Sequence, residues 1–178
     1  NQVTGANAKT ASYPFTTLMP NLGVCSLSNG GTAVIADIPG LIEGASKGKG
    51  LGDDFLKHVE RTRLLVHIIA PLDFESPKKD LVEHTIDSYS VIRKELEDYN
   101  VDLIQKNEIV VVNKIDITEV RDVLPEIEAE FKSRGIKTFA ISAATGEGVE
   151  ALINEITLQL SEIDKVEFDV EEVSVTYN

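Results

Sequence analysis

Four β-branched residues in a row, Ile109-Val110-Val111-Val112, run directly into Asn113-Lys114-Ile115-Asp116. An unbroken apolar run of this kind belongs to a strand buried on both faces, and such strands occur in sheets covered by helices on either side. The sequence that follows supplies those helices. Val120, Val123, Leu124, Ile127 and Phe131 recur at helical spacing, and Val149, Leu152, Ile153, Ile156 and Leu160 repeat the pattern. Strands are predicted at Leu22–Leu27, Thr32–Asp37, Leu64–Ala70, Glu108–Asn113 and Thr138–Ser142. Strands alternating with helices predict an α/β chain whose mostly parallel, twisted sheet is flanked by helices. Asn29-Gly30-Gly31 reads as a hairpin turn, so the first two strands are expected to be antiparallel. A longer helix is predicted from Pro77 to about Tyr99, with Ser76 as N-cap and Pro77 at the first helical position. Its inward face would carry Val82, Ile86, Tyr89, Ile92 and Leu96.

Composition narrows the function classes. The 178 residues suit one domain, and no run of about 18 apolar residues is present to span a bilayer. A net charge of −13 argues against a broad grip on nucleic-acid phosphate or an anionic membrane, so an RNA partner would be held locally or by another part of the protein. Cys25 is the one cysteine and cannot form an internal disulfide, and His58, His67 and His84 are scattered, which fits a reducing cytoplasm and no structural zinc. His67 lies within an apolar strand and reads as a hydrogen-bonded core residue. From Lys165 onward Val166, Phe168 and Val170 alternate with Glu167, Asp169 and Glu171, which reads as an edge strand or an acidic linker. The expected division is one domain over residues 1–163 and an acidic tail over 164–178. The chain starts at Asn1 with no signal-peptide pattern and is expected to belong to a longer protein.

Four short segments carry chemistry, at strand ends or in loops, where open α/β sheets bind ligands. The Asp116 carboxylate, just past the buried run, can accept hydrogen bonds from the N1–H and exocyclic amino group of guanine, a pair adenine does not offer. Asn113 and the Lys114 stem would hold the loop and cover the base. The plain alternative is a polar strand-to-helix loop. Ser142-Ala143-Ala144 follows the last strand, and the Ala143 backbone N–H can donate to guanine O6; its weight lies in following Asn113–Asp116 by one strand–helix unit. Asp37-Ile38-Pro39-Gly40 ends the second strand: a carboxylate there can hold Mg²⁺ through water, and the glycine lets a backbone N–H approach a terminal phosphate, although Pro-Gly also marks an ordinary turn. Tyr13-Pro14-Phe15-Thr16-Thr17 precedes it, and a threonine hydroxyl in such a loop can ligate Mg²⁺ while the γ-phosphate is present.

Together these segments resemble the later guanine-nucleotide motifs of a P-loop GTPase. Tyr13 to Gly23 and Asp37 to Ser46, with Gly50-Leu51-Gly52 and Phe55 to Arg63, are similar to the switch regions of the Obg family of GTPases. The resemblance implies a P-loop NTPase fold and a cytoplasmic, monomeric GTPase that binds GTP and GDP and acts on the large ribosomal subunit during its assembly. By position it implies that Thr17 ligates Mg²⁺ directly, that Phe15, Thr16, Leu18 and Met19 lie along the nucleotide, and that Asp37 reaches the ion through water. Ile38 and Pro39 would lead to Gly40 at the γ-phosphate. Asn113, Lys114, Ile115 and Asp116 would form the base site with Ser142, Ala143 and Ala144.

Two departures from the pattern stand out. Many GTPases carry a glutamine after the D-x-x-G motif to orient the attacking water, whereas Leu41 and Ile42 stand here. Water is expected to be positioned by backbone groups, a monovalent cation or a partner, with slow intrinsic turnover. The phosphate loop G-x-x-x-x-G-K-[ST] does not occur in the 178 residues, since Gly48-Lys49 is followed by Gly50. That loop and the first strand are expected upstream of Asn1. The alternative is a ribosome-interaction module without catalysis, or a truncated fragment with impaired nucleotide binding.

Overall fold

A computed structural model of the chain describes residues 21–37, 59–71 and 77–174. Two strands, β1 (Asn21–Ser26) and β2 (Thr32–Asp37), form an antiparallel hairpin in which Val24 faces Val34. Its turn closes through the Leu27 N–H donating to the Gly31 carbonyl at 2.9 Å and the Gly31 N–H donating to Asn29 Oδ1 at 2.9 Å. Gly30 sits at φ +83°, a left-handed conformation open to glycine at little cost, so the predicted turn forms where the residues demanded it.

The second sheet is parallel, in the order β3 (Leu65–Ile69), β4 (Glu108–Val112), β5 (Thr138–Ala140). Around it lie α1 (Lys78–Tyr99), a 3₁₀ segment (Val101–Gln105), α2 (Thr118–Ser133) and α3 (Val149–Ser174). The β4 run is buried as its composition requires, with Ile109 to Val112 each 2% exposed or less. Alternate residues go to opposite layers. Val110 and Val112 meet α1 and α2, while Ile109 and Val111 meet α3 together with Leu27 and Ala33 from the hairpin. Each such side chain contributes about 1.5–3 kcal/mol relative to exposure. The two helical stripes behave as their spacing predicts: Val120, Val123, Ile127 and Phe131 are buried on α2, and Val149, Leu152, Ile156 and Leu160 on α3. Pro125 lies inside α2, where it removes one helical N–H donor, and the buried stripe on either side carries the helix past it.

Three features differ from expectation. The first helix starts at Lys78, with Pro77 in extended geometry (ψ 147°) as its N-cap; the Pro77 carbonyl accepts the N–H groups of Asp80 and Leu81. Ser76, the expected cap, lies outside the described residues. The inward face of α1 is also wider than predicted, because Leu81 and Thr85 are buried and the Thr85 hydroxyl turns back to the Leu81 carbonyl at 2.7 Å. Finally, α3 continues through Lys165 to Ser174, so the tail is helical up to that point and not an edge strand. Extending an existing helix adds one backbone bond per residue ordered, whereas an edge strand needs a second chain segment to pair with.

His67 is hydrogen-bonded, as its setting suggested, but partly rather than fully buried. Its Nδ1 lies 3.0 Å from Glu108 Oε1 and its ring 5.0 Å from that of Tyr89. The Tyr89 hydroxyl donates to Glu108 Oε2 at 3.2 Å, and an Arg93 guanidinium nitrogen lies 3.3 Å from the same oxygen. Burial pushes the Glu108 carboxyl up, but the His67 hydrogen bond and the Arg93 charge outweigh it and hold the group below its usual range. Tyr89 is pushed up to about 12 by burial and by the Glu108 charge. Among the described residues no helix is long and apolar enough to cross a membrane.

Candidate functional site

Parallel pairing puts the carboxyl ends of β4 and β5 side by side, with Val112 opposite Ala140. Each strand then runs into one of the segments singled out from the sequence, and the backbone ladder continues into both. The Asn113 N–H donates to the Ile69 carbonyl at 2.8 Å, the Ile141 N–H to Val112 at 2.8 Å, and the Ile115 N–H to Ile141 at 3.2 Å. Ile115 is buried beneath the loop, which leaves its neighbours facing outward. Lys114 adopts φ +69°, an uncommon conformation for a residue with a side chain, and one that surrounding contacts must maintain.

Those contacts come from side chains. Asn113 Oδ1 accepts the Lys114 N–H at 2.8 Å and the Ala143 N–H at 3.0 Å, so one amide ties the first loop to the second. Ser142 is fully buried; its hydroxyl donates to Asp116 Oδ1 at 2.6 Å and accepts the Thr145 N–H at 3.1 Å. The Ser142 N–H donates to the Glu147 carbonyl at 2.9 Å and its own carbonyl accepts the Gly146 N–H at 2.8 Å, closing the second loop on itself. Gly148 follows at φ +75°, where a Cβ would stand 2.1 Å from the Ala140 carbonyl oxygen. The loop therefore needs glycine both for its conformation and for its close approach to β5.

The result is an exposed carboxylate, Asp116, oriented by a buried hydroxyl and set beside the backbone of Ala143 and Ala144. A planar group offering two adjacent donors and a neighbouring acceptor matches that edge. The Ala143 N–H, expected to meet guanine O6, donates to Asn113 here, so an arriving acceptor would share or exchange that bond.

Asn113, Asp116, Ser142 and Ala143 are thus brought together, with Lys114, Ile115 and Ala144 in the same two loops. Phe15, Thr16, Thr17, Leu18, Met19, Ile38, Pro39 and Gly40 lie outside the described residues, and Asp37 is placed by its backbone as the last residue of β2. Among the described residues no three His, Cys, Asp or Glu side chains gather into a metal site. A magnesium ion shared with phosphates takes only one or two protein oxygens besides water, so a donor pair of Thr17 hydroxyl and Asp37 carboxylate fits its chemistry.

Two residues that sequence reasoning gave no role also belong to the site. Arg121, on α2, donates from Nε to the Ile115 carbonyl at 2.9 Å and meets both carboxylate oxygens of Glu147 at 2.6 and 3.2 Å. No spacing rule pairs positions 26 residues apart; the one signal was the charge of Glu147 inside the second loop.

A family model described as 50S ribosome-binding GTPase matches residues 1–114. GTPase Obg of Syntrophotalea carbinolica is 47% identical over 161 residues, covering 90% of this chain and 44% of that protein. GTPase Obg of Aquifex aeolicus is 47% identical over 163 residues, covering 92% of this chain and 46% of that protein. The chain therefore spans less than half the length of these relatives. Among solved structures, Aquifex aeolicus Era bound to GDP and AlF4⁻ superposes with a TM-score of 0.57 at 22% identity, over 88% of this chain and 50% of that one. Era in complex with MgGDPNP and a stretch of 16S ribosomal RNA gives 0.53 at 23% identity, over 80% of this chain and 44% of that one. At these identities the likeness is one of fold, and it is the α/β fold expected from the strand–helix alternation.

Proposed function

Since the chain belongs to the family of 50S ribosome-binding GTPases, we propose that it is the guanine-nucleotide-binding, GTP-hydrolysing part of a switch protein of the Obg kind. The observation that carries this reading is the meeting of the Asn113–Asp116 and Ser142–Ala144 loops, with Ser142 aiming the Asp116 carboxylate and Asn113 engaging the Ala143 N–H. In this reading Asp116 accepts from N1–H and the amino group of guanine, Ala143 donates to O6, and Asn113, Lys114 and Ile115 hold the loop around the base, with Ala144 beside it.

Thr17 and Asp37 would hold Mg²⁺, the first directly and the second through water, and the ion when bound supplies charge neutralisation to the phosphates. Phe15, Thr16, Leu18 and Met19 would line the nucleotide, and Ile38, Pro39 and Gly40 would respond to the γ-phosphate. With Leu41 and Ile42 where many GTPases have a glutamine, the attacking water is held by backbone groups, a monovalent cation or a partner, and unassisted turnover is slow. The whole protein would work in the cytoplasm as a monomer on the large ribosomal subunit, with residues 1–163 as its nucleotide domain and 164–178 leading out of it. The net charge of −13 favours a localised contact with RNA over a broad one.

The test is a titration of the full-length protein with fluorescent GDP and ADP in Mg²⁺ buffer. GDP should bind at least about a hundredfold more tightly than ADP, because the wrong base leaves the pocket's polar groups unpaired. Equal affinity for the two would overturn the proposal.

A further inference from the structure

Besides the Asn113 and Ser142 contacts, the two loops are bridged by a side chain of α2. Arg121 uses Nε on the Ile115 carbonyl at 2.9 Å, while its two terminal nitrogens take the two Glu147 carboxylate oxygens at 3.2 and 2.6 Å. Ile115 immediately precedes Asp116, so fixing its carbonyl fixes the peptide from which the Asp116 carboxylate projects. Glu147 is tied into the opposite loop by backbone as well as side chain. Its carbonyl accepts the Ser142 N–H at 2.9 Å and its N–H donates to Thr145 Oγ1 at 3.3 Å. Arg121 itself stands on a firm base, between the fully buried Val120 and Val123 of α2.

We infer that Arg121 is a positioning residue for base recognition, clamping the Asn113–Asp116 loop and the Ser142–Glu147 loop at the separation the base requires. This rests on the proposal that those loops hold guanine. The Arg121 and Glu147 side chains are 52% and 48% exposed, and an ion pair that open contributes little to global stability. Its effect is on local geometry, where displacement of a binding group by about 1 Å costs heavily. Arginine is required for the shape of its head: the planar fork serves a carbonyl from one edge and a carboxylate from the other, which a lysine ammonium cannot do.

The experiment compares full-length Arg121→Ala, Arg121→Lys and Glu147→Gln with the parent, with Asp116→Asn alongside. The readouts are dissociation of fluorescent GDP, preference for GDP over IDP (which lacks the amino group facing Asp116), KM and kcat for GTP, and Tm. Both Arg121 variants should release GDP about tenfold faster and discriminate less against IDP, with KM raised, kcat at saturation unchanged and Tm within about 2 °C of the parent. Glu147→Gln should move the same quantities in the same direction by less. Parent-like GDP release and IDP discrimination in Arg121→Lys and Glu147→Gln would overturn the inference, as would losses that follow Tm alone. If Arg121→Ala does not fold, those two variants decide. Should Asp116→Asn keep its guanine preference, the base-site proposal fails; should it lose that preference while the Arg121 variants match the parent, only the clamp fails.

Discussion

Asn113 Oδ1 accepts the Ala143 backbone N–H at 3.0 Å, joining two loops that lie 30 residues apart in the chain. The contact follows from parallel pairing: β4 and β5 end level with one another, so the residues just beyond them meet. Asn113 here acts on protein backbone, and by doing so it holds an N–H in the place where a base oxygen would need one.

Asp116→Asn replaces an acceptor of two donors with an amide that can accept one and donate one. GDP affinity should fall by about a hundredfold or more while XDP becomes a ligand. Competition of each nucleotide against fluorescent GDP reads both effects. Undiminished guanine selectivity would remove Asp116 from the pocket.

Gly148→Ala should destabilise the protein by about 3 kcal/mol or more, since φ is +75° and the new Cβ would stand 2.1 Å from the Ala140 carbonyl oxygen. Gly135 has the same φ of +75°, but a Cβ there would meet no atom within 4 Å, so Gly135→Ala should cost only about 1–2 kcal/mol. Urea denaturation of the pair separates steric conflict from backbone strain.

The cluster around Glu108 predicts losses of stability at both extremes of pH. Glu108 has its carboxyl held below the usual range, so it contributes stability above its unfolded value of about 4.5 that disappears as pH falls through the lower folded value. Tyr89 is shifted the other way, from 10.0 to about 12: its contribution is intact below pH 10 and is lost as pH rises towards 12. Tyr89→Phe should flatten the alkaline loss in thermal melts and, by removing one of the hydrogen bonds that hold the Glu108 carboxyl low, also slightly reduce the acid loss. An unchanged alkaline limb would mean that Tyr89 is not its source.

Phe131 is fully buried and meets the Tyr89 ring edge-on at a centroid distance of 5.2 Å. Phe131→Ala should cost about 3–5 kcal/mol. Leu158, 54% exposed on α3, should tolerate alanine within about 0.5 kcal/mol. Comparing their midpoints in denaturant checks that the apolar stripes, and not hydrophobic content as such, hold the sheet between its layers.

Much of the fold was legible because its signals are local. The run from Ile109 to Val112 has no polar face to expose, Val120 to Phe131 and Val149 to Leu160 repeat at the helical period, and Asn29-Gly30-Gly31 supplies the backbone freedom a hairpin needs. Boundaries were less legible. Pro77 proved to be the cap of α1, and the Val166–Glu171 alternation continued a helix, because helix ends depend on where backbone donors and acceptors find partners.

Residue type and period were enough to mark most of the strands and helices, the strand buried on both faces, and the loops that hold the candidate base-binding residues. Three contacts required the folded chain: Asn113 meeting Ala143, the buried Ser142 aiming Asp116, and Arg121 bridging Ile115 and Glu147. Those contacts depend on the register of β4 against β5 and on the angle at which α2 leaves its loop, and register is set by packing between segments far apart in the chain.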